Sequence, residues 1–121
     1  MSILGVTAQI RTTNIEESIE FYTSIGLELE FRYEDFYAGI KAGAQSFHLK
    51  LVDEKDPSID VVARDDHFHL YFESDDLEAM AQQIKEKGMA FHKEIATTPW
   101  GMKDFYIKDN QGHVLCFSQA V

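Results

Sequence analysis

From His67 to Glu73 the chain alternates: His67, His69, Tyr71 and Glu73 fall on one parity and Phe68, Leu70 and Phe72 on the other. That is the period of a half-buried strand with one polar and one apolar face. The period then lengthens. Leu77, Ala81 and Ile84 recur at helical spacing, Ser74 or Asp75 supplies an N-cap, and Gly88 stands where a left-handed C-cap is wanted. Residues 67–88 are thus predicted to be one strand running into one amphipathic helix.

The same unit occurs earlier, from Leu4 to Gly26. An alternating strand leads to Asn14 as N-cap with Glu17 as its capping-box partner, and Ile15, Ile19 and Tyr22 precede Gly26. The offset between copies is constant, 76 − 14 = 62 and 88 − 26 = 62. Each glycine is followed by a strand with large apolar residues, Leu27, Leu29 and Phe31 in one copy and Met89, Phe91 and Ile95 in the other, and then by further strands. The prediction is an α+β chain of two tandem βαβββ modules, about 1–53 and 67–121, forming a single domain.

Within the first module, Val6, Ala8 and Ile10 are expected on the packing face and Thr7, Gln9 and Arg11 on the other. Leu27, Leu29, Phe31 and Tyr33 alternate with Glu28, Glu30, Arg32 and Glu34 in the next strand; Phe36 to Lys41 follows after a turn at Asp35. Ser46 to Val52 closes the module, with Phe47, Leu49 and Leu51 opposite His48 and Lys50. Residues 54–66, charged, aperiodic and containing Pro57, read as a mobile connection. In the second module the remaining strands are expected at Phe91 to Ile95, Phe105 to Lys108 and His113 to Gln119.

With 121 residues, 45% hydrophobic and 12% aromatic, the chain has enough apolar material for an ordinary core without disulfides or metals. No stretch approaches the roughly 20 apolar residues of a membrane span, and the N-terminus lacks the basic and apolar regions of a signal peptide. The single cysteine, Cys116, forms no internal disulfide and rules out a cysteine-based zinc cage. A cytoplasmic location is expected. Net charge is −10, which disfavours nucleic acid and anionic membranes as partners.

Asn14-Ile15-Glu16-Glu17-Ser18-Ile19-Glu20-Phe21-Tyr22, followed by Gly26, resembles the D-x-x-x-S-x-x-F-Y helix of the vicinal oxygen chelate superfamily. That superfamily includes glyoxalase I, extradiol dioxygenases, and fosfomycin- and bleomycin-resistance proteins. Pro99 to Gly112, PWGMKDFYIKDNQG, resembles its bleomycin-resistance-like and glyoxalase-like branches. The resemblance implies an open, cup-shaped mixed sheet with helices on the convex side, a ligand cleft on the concave side, and a homodimer. Metal-dependent members carry four ligands. Those positions fall here on Thr7, on His48 or Lys50, on His69 and on Cys116, and only His69 is a clear match, the register of strand four leaving His48 and Lys50 open.

Two functions from different classes follow. One is a binding protein for a small, aromatic or cationic organic ligand, without a complete metal site and with no cofactor. Its ligand contacts would come from Thr7, Gln9, Arg11, His48, Lys50, His67, Trp100 and Cys116. The other is a lyase, isomerase or dioxygenase that uses zinc, nickel or manganese. There His69, with His48, His67 and Cys116, would hold the metal, and Glu73 or Tyr71 would move protons; a metal-free variant uses His69 as general base. Each residue also has a structural reading. Cys116 suits a small buried hydrophobe, Arg11 suits an ion pair with Glu73, and Tyr33, Phe36 and Tyr37 suit core packing as well as a cleft wall.

Overall fold

A computed structural model describes residues 2–64 and 68–121, with only the backbone for Phe68 and His69. The chain divides into two compact units, Met1–Val61 and Val62–Val121. The first holds β1 (Gln9–Thr12), α1 (Ile15–Ser24), β2 (Glu28–Tyr33), β3 (Tyr37–Ala42) and β4 (Gln45–Leu51). After α2 (Pro57–Arg64), the second holds β5 (Phe68–Glu73), α3 (Leu77–Glu86), β6 (Lys93–Thr97), β7 (Met102–Lys108) and β8 (Val114–Ala120). Each unit is a βαβββ module, and the two sheets share one topology, β1-β4-β3-β2 and β5-β8-β7-β6. In both, the first strand pairs in parallel with the last and the other pairings are antiparallel.

The helices form where capping and spacing place them. Asn14 accepts a 3.0 Å hydrogen bond from the Glu17 amide, and Asp76 accepts one of 3.2 Å from the Ala79 amide. The second cap is therefore Asp76 rather than Ser74 or Asp75; Ser74 supports it by accepting from the Asp76 amide. Both helices end alike. Leu27 and Met89 amides reach back to the Tyr22 and Ile84 carbonyls across glycines at φ +104° and +74°, left-handed conformations that cost glycine nothing. α1 buries Ile15, Ile19 and Tyr22 against the sheet side that carries Ile10, Ala38, Ile40, Phe47 and Leu49. The Tyr22 and Phe47 rings meet edge to face at 5.1 Å. In the second module Leu77 and Ile84 of α3 are buried, and Phe72, Phe117 and Phe105 stack across three strands at 4.8 and 5.1 Å.

Three expectations are corrected. Residues 54–66 are not simply an irregular connection, because 57–64 form α2. Pro57 occupies the first helical position, where its missing N–H is no loss, and Asp56 accepts from the Ser58 amide and hydroxyl. The first strand begins at Gln9, and Val6 is 97% exposed rather than packed, as are Ile3 and Leu4 at 85% and 98%. In β2 the alternation breaks at a bulge between Leu29 and Phe31. Leu29 pairs with buried Ile40, whereas Phe31 and Tyr33 pair with Gly39 and Tyr37, on the sheet face away from α1. Arg32 consequently reaches back to α1, forming an ion pair with Glu16 and another of 2.6 Å with Asp35.

Because Asn14 caps α1 and Asp76 caps α3, each from within its own module, Asn14→Ala and Asp76→Ala should each lower stability by about 1 kcal/mol. The double variant should lose the sum, since the sites share no partner. Urea unfolding followed by circular dichroism checks this; a loss well below the sum would mean that the helix starts are coupled.

Candidate functional site

The candidate site of the first module lies on the sheet face away from α1. Because paired residues stand side by side, this face forms rows. Gln9, His48, Gly39 and Phe31 make one row across β1, β4, β3 and β2, and Arg11, Lys50, Tyr37 and Tyr33 make the next. Gln9 donates to the Tyr37 hydroxyl at 2.9 Å, and that hydroxyl lies 2.8 Å from His48 Nδ1. The phenol has one proton to give. Passing it to Nδ1 uses every group in the chain and leaves the imidazole its proton on Nε2.

Phe31 lies flat over Gly39. A Cβ at position 39 would stand 2.2 Å from Phe31 Cε2, so only glycine admits the ring in this pose. The ring stacks with Tyr37 at 6.1 Å and 21° and meets His48 edge to face at 5.1 Å. Tyr33 and Phe36, 62% and 45% exposed, meet edge to face at 5.3 Å at the end of the same patch. They are surface aromatics, not core residues. At the opposite edge, Arg11 donates to Ser58 and lies 3.5 Å from Asp56. The Ser58 hydrogen bonds, followed by the charges of Arg11 and Lys50, hold the Asp56 carboxyl below its ordinary range.

The second module repeats the row with other chemistry. Tyr71, Cys116, Tyr106 and Lys93 stand where Gln9, His48, Gly39 and Phe31 stand in the first. In place of a phenyl ring on a glycine there is an ammonium over a phenol ring, Lys93 Nζ lying 5.2 Å from the Tyr106 centroid. Burial, reinforced by the Asp104 carboxylate and partly opposed by Lys93, pushes the Cys116 thiol up to about 12. It is a protonated, inert thiol at neutral pH. Burial also raises the Tyr106 phenol, followed by Asp104, Cys116 and Tyr71.

The structure thus brings Gln9, Arg11, His48 and Lys50 onto one face and adds Phe31, Tyr33 and Tyr37 to them. Tyr71 and Glu73 are exposed on β5, and Trp100, 73% exposed, lies in the turn between β6 and β7. Within the first module Arg11 pairs with Asp56. Thr7 is exposed and precedes β1. His67 lies outside the described residues, as does the side chain of His69; the backbone of His69 sits where the β5–β8 register slips. The register places both His48 and Lys50 on the same face, with His48 in the row of Gln9 as Cys116 is in the row of Tyr71.

Of the donors at the family's metal positions whose side chains are described, three suit a divalent metal poorly: Thr7 offers a neutral hydroxyl, Lys50 is a cation, and Cys116 resists ionisation. His48, hydrogen-bonded to Tyr37 through Nδ1, is the one conventional ligand among them. Among the described residues no group of three or more His, Cys, Asp or Glu side chains could hold a metal, and no helix is long and apolar enough to cross a membrane.

Known proteins place the chain. A glyoxalase family protein from Bacillus anthracis superposes with a TM-score of 0.78 at 19% identity, covering 100% of this chain and 98% of its own. A bleomycin-binding protein solved with bleomycin gives 0.76 at 18%, covering 97% and 98%. A glyoxalase/bleomycin resistance protein/dioxygenase from Alicyclobacillus acidocaldarius gives 0.76 at 17%, covering 95% and 89%. At these identities the likeness is one of fold. No curated protein matches the chain by sequence. The model of the Glyoxalase/Bleomycin resistance protein/Dioxygenase superfamily matches residues 4–117, nearly the whole of both modules, and the chain belongs to that superfamily.

Proposed function

We propose that this protein binds a small aromatic organic ligand, as a homodimer and without a metal. The observation that carries the reading is the Phe31 ring lying on Gly39 beside Tyr37 and His48, on a sheet face where Tyr33 and Phe36 are also exposed. Aromatic rings on a surface cost solubility unless they stack on something, and a flat ligand gains both area and ring–ring contact there. The Gln9–Tyr37–His48 chain fixes the neighbouring polar groups in one arrangement, which favours selective binding. A bleomycin-binding protein among the structures of the same fold fits this reading. A cationic ligand is supported by the net charge of −10 alone, while Arg11 and Lys50 stand on the face itself.

A metal-free reading is supported by the donor chemistry at Thr7, Lys50 and Cys116. The homodimer is supported by Ile3, Leu4 and Val6, three apolar side chains that stand in water in a single chain. Burying them in a second copy would contribute several kcal/mol.

Isothermal titration with planar aromatic compounds should find binding that survives chelator and is indifferent to zinc, nickel or manganese. Phe31→Ala should weaken it roughly tenfold, with little change in melting temperature because Phe31 sits on an edge strand. Binding lost on chelation would return the enzyme reading. Light scattering should give the mass of two chains, and Leu4→Asp with Val6→Asp should weaken association by roughly a hundredfold or more; a monomeric wild type would end the homodimer reading. For Cys116, the native state keeps its proton after the unfolded chain has lost it, so stability falls as pH rises from about 9 towards 12. Cys116→Ala should therefore lose less stability than wild type between neutral and alkaline pH, read from urea midpoints. Equal losses would contradict the burial assigned to the thiol.

A further inference from the structure

We infer that the ligand taken by the first module is an aromatic anion: a flat ring system bearing a carboxylate or a comparable acidic group. The inference rests on the proposed binding function and names its ligand class. Its basis is the order of side chains along the two rows. One row runs Arg11, Lys50, Tyr37, Tyr33, and the other Gln9, His48, Gly39, Phe31. Both go from donor groups at the β1 and β4 side to aromatic rings at the β2 side. With strands about 4.8 Å apart, the ends of a row lie about 14 Å from each other. A bicyclic acid fits within that span, with its ring on Phe31 and its charge near Lys50.

The charges at the donor end are not balanced. Two cations share one carboxylate there: Asp56 lies 3.5 Å from Arg11 and also feels the charge of Lys50, whose side chain makes no closer ion pair among the described residues. Neither row contains a carboxylate. Glu30 accepts from Ser46 one row further on. The remaining polar groups are donors as well. Gln9 gives one amide proton to Tyr37 and has another, and the hydroxyl proton of Tyr37 on His48 Nδ1 leaves an N–H at Nε2. A face whose two cations share one carboxylate, with two donor groups and stacked rings beside them, selects an acceptor on an aromatic frame. It selects against a cation, despite the acidity of the chain as a whole.

Three probes of nearly one shape separate the possibilities: 2-naphthoate, neutral 2-naphthamide and cationic 2-naphthylmethylamine. At low ionic strength the carboxylate should bind about fivefold more tightly than the amide, the size of an exposed ion pair, and the advantage should shrink as salt is raised. Lys50→Met should abolish that advantage, so that carboxylate and amide bind alike, and Lys50→Glu should reverse the order of the charged probes. Lys50 is exposed, so melting temperatures should confirm that both variants fold. If amide or amine binds as tightly as the carboxylate, the ligand class is wrong and the binding function stands. If none of the three binds, that function fails together with its ligand class.

Discussion

Each module sends a single helix across a four-stranded sheet, and a single helix covers a single face. The strand order follows from this. A helix between the first and second strands returns the chain at the far edge, and the next two strands fill the gap until the last meets the first in parallel. Everything apolar and regular then gathers on the helix side, Ile10, Ala38, Ile40, Phe47 and Leu49 in one module and Phe105, Ile107, Leu115 and Phe117 in the other. The opposite face needs no close-packed partner from its own helix, so its side chains are available for chemistry.

The two modules use that availability differently while keeping the same register. In the first, a missing side chain at Gly39 lets Phe31 lie down, and a hydrogen-bonded chain through Tyr37 orients His48. In the second, Tyr106 fills the corresponding position, Lys93 rests over its ring, and a thiol held in its neutral form replaces the imidazole. The repeat fixes where residues stand and leaves open what they are.

Local signals carried most of the fold into the sequence. Asn14, Gly26 and Gly88 mark helix ends because a cap and a left-handed residue are chemical needs of any helix, and the parity of Phe47 and Leu49 against His48 and Lys50 is what a sheet with one covered face requires. Pro57 misled, since a proline interrupts a helix but also begins one. The bulge in β2 was not legible in its alternating pattern, and it turns Phe31 and Tyr33 away from the core. About half of the candidate face could be named from the strand pattern: Gln9, Arg11, His48 and Lys50. Tyr33 and Tyr37 could be named only as cleft wall or core, and Phe31 not at all, because its role depends on pairing between segments far apart in sequence. The one available hint was Gly39 inside a run that otherwise reads as strand, since a strand glycine marks a close approach of something else.

That glycine makes the face tunable from beneath. A methyl group at position 39 would displace the Phe31 ring, which is the mobile end of its side chain, and so would replace a level shelf by a raised edge. Larger residues would lift it further. Under the proposed binding function, ligand preference could drift through a position that no ligand needs to touch, with the helix, the core and the sheet pairing left as they are.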